Sequence, residues 1–190
     1  PALSDPELID FPGIGTLEAF NTDGVRSLYK TLKIANIKEK TLRYPGHIDK
    51  IRLLRESGFF STEAVEIEGA RIRPLDVTAK LLFPMWQLKP DDVDITLMKV
   101  IVKGDKDGTP MRYTWDLFDR RDPSTGIHSM ARTTGYTATV TARLIAQGRF
   151  THTGIIPPEH IGMDPACMAF ILNGLAERGV IYKESAENVE

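Results

Sequence analysis

The stretch DITLMKVIVKGDKDGTPMRYTWDLFD, residues 94–119, decides the fold of the central part of the chain. Its two halves, DITLMKVIVKG and TPMRYTWDLFD, are rich in β-branched and aromatic residues, which favour strands. The charged segment DKDG joins them and ends in Gly108, as in a tight turn between antiparallel strands. Met98, Val100 and Val102 share one face and lysines lie on the other, so we expect one sheet face to be wetter. The stretch predicts a long β-hairpin.

The segments before the hairpin alternate short strands with helices, which is typical of an α+β fold. They predict two extended pieces within residues 6–22, a helix from Thr22 or Asp23 to Leu32, a strand over 38–44, a helix from about His47 to Ser57, a hairpin through Glu68-Gly69, and a helix over 74–87 that Pro84 must end or kink. We therefore expect a mostly antiparallel mixed sheet with helices on one face.

The remainder of the chain is predicted to be helical. Helices over 134–147 and from about 165 to 178 are followed by a short strand over 180–183. Two helices without a sheet of their own need another surface to cover. We therefore divide the chain into an α/β domain of residues 1–128 and a helical segment of residues 129–190.

The composition argues against several classes of protein. The chain has 190 residues, 42% of them apolar and 26% charged, with a net charge of −2, so neither a nucleic-acid-binding face nor a basic membrane patch is expected. Cys167 is the single cysteine, which favours a reducing cytoplasm. No apolar run reaches the ~18 residues that span a bilayer. The chain begins without Met at Pro1 and lacks a signal peptide, so it reads as a fragment.

The motifs argue against a dinucleotide-binding site and against a metal site. Gly13-Ile14-Gly15 begins like a dinucleotide-binding fingerprint, but Glu18 stands where the third glycine belongs. The fingerprint also needs a buried strand before it and a helix after it, and neither is predicted here. The four histidines have no second ligand three or four residues away, so we expect no metal site.

Polar residues gather in GTLEAFNTDG, residues 15–24, between a predicted strand and a predicted helix. Thr22 or Asp23 can cap the helix, while Glu18 lies on a solvated face. The alternative is that Asn21 and Thr22 line a polar pocket at the strand end. The spacing leaves both readings open.

A second polar group lies where Pro45-Gly46 ends the next predicted strand. Arg43 suits bidentate binding of a carboxylate, and Tyr44 adds a hydroxyl beside it. His47 then opens the following helix. The alternative is an ordinary turn with a surface arginine that pairs with a neighbouring glutamate.

A third candidate is the threonine-rich segment MARTTGYTATVTARL. Thr133 and Thr134 can cap a helix whose N-terminal N–H groups would be offered to an anion or a carboxamide. The alternative is a well-capped helix that packs closely through Gly135, Ala138 and Ala142.

Together the motifs GTLEAFNTDG, KTLRYPGH, LLRESGFF, ARTTGY and GIIPPE resemble the C-terminal region of saccharopine dehydrogenase-like oxidoreductases. The resemblance runs from about Leu8 to Val180 and is greatest to lysine 6-dehydrogenase-type and related bacterial members. It implies NAD or NADP bound mainly by an N-terminal Rossmann domain that would precede Pro1. It further implies a homodimer formed through the sheet of residues 1–128, and final helices over 129–190 that pack on the Rossmann domain.

The resemblance also assigns roles to the candidate residues. It implies that Arg43 and Tyr44 bind a substrate carboxylate at a strand end. The other residues of the same pocket would be Glu18, Asn21, Thr22 and His47. The residues near the nicotinamide would be Thr133, Thr134 and Gly135.

We therefore expect the substrate-binding and dimerisation part of an NAD(P)-dependent dehydrogenase that acts on the C–N bond of a lysine- or saccharopine-type amino acid. Without its cofactor domain this part is expected to be inactive. The alternative is a non-catalytic ligand-binding or dimerisation module of the same fold. The sequence names no general acid or base and does not distinguish NAD from NADP.

Overall fold

The computed structural model describes residues 2–189, which divide into two compact units between Leu88 and Lys89. The first unit contains β1 (Glu7–Phe11), β2 (Gly15–Asn21), α1 (Leu28–Thr31), β3 (Lys40–Arg43), α2 (His47–Glu56), β4 (Val65–Ile67), β5 (Ala70–Ile72) and α3 (Pro74–Trp86). The second contains β6 (Ile95–Lys106), β7 (Thr109–Arg120), α4 (Ser129–Ala146), α5 (Pro158–Gly162), α6 (Pro165–Ala176) and β8 (Tyr182–Asn188). The sheets are antiparallel, which confirms the α+β class. No helix in this range is long and apolar enough to cross a bilayer.

The first unit is built on an antiparallel sheet in the order β1-β2-β3. Gly13 and Gly15 have positive φ angles of 79° and 105° and turn β1 back into β2. The glycines thus belong to a hairpin and not to a strand–helix junction. Leu17 and Phe20 of β2 are buried, as is Ile48 of α2. The predicted strands and the helix beginning at His47 are confirmed.

The predicted helix from Thr22 to Leu32 is largely wrong, because only α1, Leu28–Thr31, is helical. The Thr22 hydroxyl and the Gly24 N–H both donate to the carboxylate of Glu39, which holds the chain in a turn. Arg26 then takes a positive φ of 45°, which a right-handed helix does not allow. The apolar spacing was therefore misleading, since a distant carboxylate fixes the backbone here.

The β4–β5 hairpin and the start of α3 agree with the sequence prediction. Glu68 and Gly69 have φ angles of 51° and 81°, as a two-residue type I′ turn requires. Pro74 is in the first turn of α3, where its missing N–H costs nothing. Pro84 was expected to end or kink the helix. It does not end it, because the helix continues to Trp86.

The second unit contains the long hairpin, with β6 paired to β7 over its whole length and β8 on the other side of β7. Asp107 and Gly108 have φ angles of 55° and 79° and form its turn, which confirms the prediction from DKDG. The strand expected over 180–183 is longer than predicted and continues to Asn188. Leu117 of β7 lies opposite Tyr182 of β8.

The helices of the second unit cover this sheet. Leu117 packs in one buried cluster with Val140 of α4, Leu175 of α6 and Val180. The expectation that the last helices have no sheet of their own is therefore wrong, because the hairpin and β8 supply one. The division between residues 128 and 129, which rests on packing against a Rossmann domain, stays a prediction.

One face of the hairpin stays uncovered. Val100 and Val102 are 41% and 50% exposed, although the alternation predicted a drier face for them. Their cross-strand neighbours are Trp115 and Tyr113, whose rings stack 6.0 Å apart. Leu117, two residues beyond Trp115 on the same face, is where α4 packs. Within residues 2–189, the apolar surface towards the hairpin turn is therefore exposed.

Candidate functional site

Tyr44 to His47 form a tight turn between β3 and α2. Pro45 and Gly46 occupy its two central positions, and Gly46 has φ 84° and ψ 3°. The His47 N–H donates to the Tyr44 carbonyl across the turn at 3.3 Å. This is the geometry of a type II turn, in which proline and glycine are favoured at these positions. A Cβ at Gly46 would meet no atom within 4 Å, so the positive φ explains the glycine.

Arg43 presents an exposed guanidinium at the end of β3. Its Nη1 donates to the neighbouring Leu42 carbonyl at 2.7 Å, and no carboxylate within residues 2–189 forms an ion pair with it. The alternative in which Arg43 pairs with a neighbouring glutamate is therefore not what the structure shows. A planar guanidinium group of this kind can bind a carboxylate through two parallel hydrogen bonds.

Glu18 lies directly opposite Arg43 across the β2–β3 pair, but its carboxylate is engaged elsewhere. Glu18 Oε2 accepts a hydrogen bond from the Ile48 N–H at 3.0 Å. That N–H is one of the free donors at the start of α2, and a carboxylate there is favoured by the helix dipole. Glu18 therefore fixes the beginning of α2 and leaves Arg43 unneutralised, and its predicted contact with substrate stays a prediction.

His47 is the first residue of α2 and lies half-buried beside Phe20. The two rings stack with centroids 6.0 Å apart and an interplanar angle of 12°. Burial lowers the pKa of His47, the Arg43 guanidinium and Lys50 lower it further, and the Glu18 carboxylate opposes them. The imidazole is therefore biased towards its neutral form next to a guanidinium.

Asn21 ends β2 and Thr22 follows it, so both lie three to four residues beyond Glu18, about 10 Å along the strand. Asn21 Nδ2 donates to Ser4 Oγ at 3.1 Å, and Thr22 is bound to Glu39. Neither residue caps a helix, which removes the capping alternative for Thr22. The structure thus brings Glu18, Arg43, Tyr44 and His47 together and sets Asn21 and Thr22 apart from them.

Thr133, Thr134 and Gly135 lie inside α4, which begins five residues before the predicted start at Thr134. Thr133 Oγ1 donates to the Ser129 carbonyl at 2.9 Å, as expected for a threonine within a helix. The expectation that Thr133 and Thr134 stand at a free helix N-terminus is therefore wrong. Their proximity to a nicotinamide stays a prediction.

The true N-terminus of α4 is already occupied by a carboxylate. Asp94 accepts hydrogen bonds from the N–H groups of Ser129 and Met130 at 2.7 and 2.9 Å. The alternative of close packing through Gly135 is also wrong, since a Cβ there would meet nothing within 4 Å. The close contact of the helix lies instead at Gly174 of α6, which abuts Val140.

Arg132, in the same ARTTGY motif, is a residue that sequence reasoning missed. Its side chain is 8% exposed and forms an ion pair with the 5% exposed Asp119 at 3.2 Å. Arg132 Nη2 also donates to the Arg178 carbonyl at 3.0 Å, and the Ser129 hydroxyl donates to Asp119 at 2.7 Å. The arginine thus joins α4, β7 and the end of α6. The available signal was its spacing, because Val140 and Leu144 follow it at multiples of four residues and so lie on the same buried side of α4.

No group of three or more histidine, cysteine, aspartate or glutamate side chains within residues 2–189 is arranged to hold a metal ion.

Comparison with known families gives one match that covers most of the chain. Residues 2–180 match the family described as "Saccharopine dehydrogenase C-terminal domain". The match includes the Arg43 turn, the long hairpin and the helices α4 to α6. The chain therefore belongs to the saccharopine dehydrogenase C-terminal domain family.

Proposed function

We propose that the chain is the substrate-binding part of an NAD(P)-dependent oxidoreductase that acts on the C–N bond of a lysine- or saccharopine-type amino acid, as in lysine 6-dehydrogenase-type enzymes. The observation that carries the proposal is the exposed Arg43 guanidinium, which stands without an ion pair in the described chain. Such a group at a rigid strand end suits an amino-acid carboxylate, because the fork and the carboxylate match in geometry and charge.

The role of this chain is to hold and orient the amino acid. Arg43 binds the carboxylate, the Tyr44 side chain, 70% exposed, supplies a hydroxyl beside it, and the type II turn fixes their spacing. The turn is held in place because Glu18 anchors α2 to the sheet. A rigidly placed carboxylate restricts where the rest of the substrate can lie, which is the contribution expected from a positioning site.

The motifs considered for a dinucleotide give no support for such a site among the described residues. Gly13 and Gly15 turn a hairpin, Thr133 and Thr134 lie within a helix, and the N-terminus of α4 is occupied by Asp94. We therefore assign NAD or NADP to a separate Rossmann domain, which would supply hydride acceptance, and derive no step through it. A cytoplasmic location is part of the same proposal and rests on the composition.

The test is steady-state kinetics of the full-length protein with Arg43→Lys. Lysine keeps the charge and loses the bidentate hydrogen bonds. We therefore expect kcat/KM for amino-acid substrates to fall by an amount equal to about 1.5–3 kcal/mol of transition-state binding free energy. The matched control is Arg55→Lys, which changes an exposed arginine at the far end of α2 and should leave the kinetics unchanged. Equal kinetics for Arg43→Lys and the parent would overturn the proposal.

The uncovered face of the hairpin supports a second element of the proposal, association with another copy. Exposed apolar side chains along a 12-residue edge strand favour pairing or packing with an identical surface. Light scattering should give a dimer, and Val102→Lys should shift it towards monomer. A monomer at all workable concentrations would contradict this.

Amino-acid binding by the full-length protein without turnover would favour the non-catalytic module instead.

A further inference from the structure

Arg43 and His47 flank the Pro45-Gly46 turn. Arg43 lies opposite Glu18 across the β2–β3 pair, and His47 packs on Phe20, which shares a face of β2 with Glu18. Arg43 ends β3, His47 begins α2, and the turn between them is closed by the hydrogen bond from the His47 N–H to the Tyr44 carbonyl. The His47 ring is held against Phe20, so its position is fixed by packing. Arg43 remains exposed and makes no ion pair with a described residue, so its guanidinium is available to a ligand.

We propose that Arg43 and His47 together form the carboxylate site, and that His47 takes up a proton when a carboxylate binds to Arg43. The inference rests on the proposed function, since it concerns the same ligand group. It adds that binding of the ligand increases the fraction of His47 that carries a positive charge.

The charges around His47 give the reason. Glu18 faces it from β2, Arg43 from β3 and Lys50 from its own helix, and the Phe20 ring that packs on it is uncharged. Glu18 is partly used, because it accepts the Ile48 N–H. In the free site the unpaired guanidinium therefore opposes protonation of the imidazole. A bound carboxylate removes this opposition and offers the imidazolium an acceptor.

The direction of the pH dependence follows from linkage. The pKa of His47 is lowered in the free site, and a bound carboxylate raises it, so binding takes up a proton from solution. The additional affinity is present below the free-site pKa and is lost as the pH rises through the pKa of the bound state. Affinity for the carboxylate should therefore be severalfold higher at about pH 5.5 than at about pH 8.

Isothermal titration of the full-length protein with L-lysine and with saccharopine, in two buffers of different ionisation enthalpy near pH 6.5 (roughly the ordinary histidine pKa), measures the proton uptake directly. The parent should take up a fraction of a proton per carboxylate bound. His47→Gln should bind more weakly and take up none. His47→Phe should show the same weaker binding and the same absence of proton uptake as His47→Gln. Because phenylalanine retains a ring against Phe20, this variant separates loss of the proton from loss of packing. His160→Gln, a change in α5, should behave as the parent.

The outcomes separate this inference from the proposed function. Binding with proton uptake that disappears in both His47 variants supports it. Binding without proton uptake, or uptake that persists in the His47 variants, overturns the inference and leaves the Arg43 carboxylate site intact. Absence of binding by either amino acid overturns the proposed function and the inference with it.

Discussion

Replacing Gly174 by alanine tests the packing of α6 on α4, which holds the second unit together. A Cβ at Gly174 would lie 2.3 Å from Val140 Cγ2, whereas ordinary contact begins at 3.4 Å. Val140 is 1% exposed, and its β-branched side chain has one strongly preferred rotamer in a helix. The overlap must therefore be relieved by moving the helices apart. Overpacking of this kind costs about 1–3 kcal/mol.

The matched control is Gly135→Ala, which also lies within a helix of the second unit. A Cβ there meets nothing within 4 Å, and alanine is favoured over glycine in helices by about 0.8–1 kcal/mol. Both substitutions gain this propensity term, so the difference between the variants isolates the packing cost. Gly174→Ala should be less stable than Gly135→Ala by about 1–3 kcal/mol.

Urea unfolding followed by tryptophan fluorescence measures this difference. The chain has 2 tryptophans, Trp86 in the first unit and Trp115 in the second. A Trp86→Phe background therefore makes the signal specific to the second unit. Equal unfolding free energies for the two alanine variants would show that α4 and α6 do not meet at Gly174.

Two further predictions concern the buried and acidic groups of the second unit. Arg132→Ala leaves Asp119 buried without its partner and should lower the unfolding free energy by about 3–5 kcal/mol. Arg112→Ala, which breaks a partly exposed ion pair with Glu187, should cost about 1 kcal/mol or less. Similar losses in urea unfolding would argue against a buried pair. Hydrogen bonds, first from the Ser124 hydroxyl, lower the pKa of Asp122 from 3.8 to about 2, so its stabilisation is present above pH 3.8 and lost as the pH falls towards 2. Asp122→Asn should remove that acid-sensitive part of the stability, and an unchanged acid unfolding profile would contradict the pKa shift.

The hairpins could be predicted from the sequence because the information that fixes them is local. Asp107-Gly108 and Glu68-Gly69 provide the positive φ angles that two-residue hairpin turns require. The Pro45-Gly46 turn is local in the same way, since proline and glycine suit successive positions of a type II turn. The end of β3 and the position of Arg43 could therefore be read directly from the chain.

The errors arose where distant residues fix the backbone. The α4 helix begins at Ser129 because Asp94, 35 residues earlier, accepts hydrogen bonds from its first N–H groups. The helix expected after Thr22 is absent because Glu39 binds Thr22 and Gly24. No local pattern reports either contact. The same reasoning separates Asn21 and Thr22 from Arg43, since only the strand register shows that they lie at opposite ends.

The proposed carboxylate site is tested most directly by comparing the binding of L-lysine and its carboxamide, lysinamide, to the full-length parent and to Arg43→Lys. The two ligands differ in the carboxylate alone, so the ratio of their dissociation constants reports that contact. The parent should favour lysine by about 1.5–3 kcal/mol, and the preference should be clearly smaller in Arg43→Lys, which keeps the charge and loses the bidentate hydrogen bonds. Equal affinity of the parent for both ligands, or an undiminished preference in Arg43→Lys, would contradict the assignment of Arg43 as the carboxylate anchor.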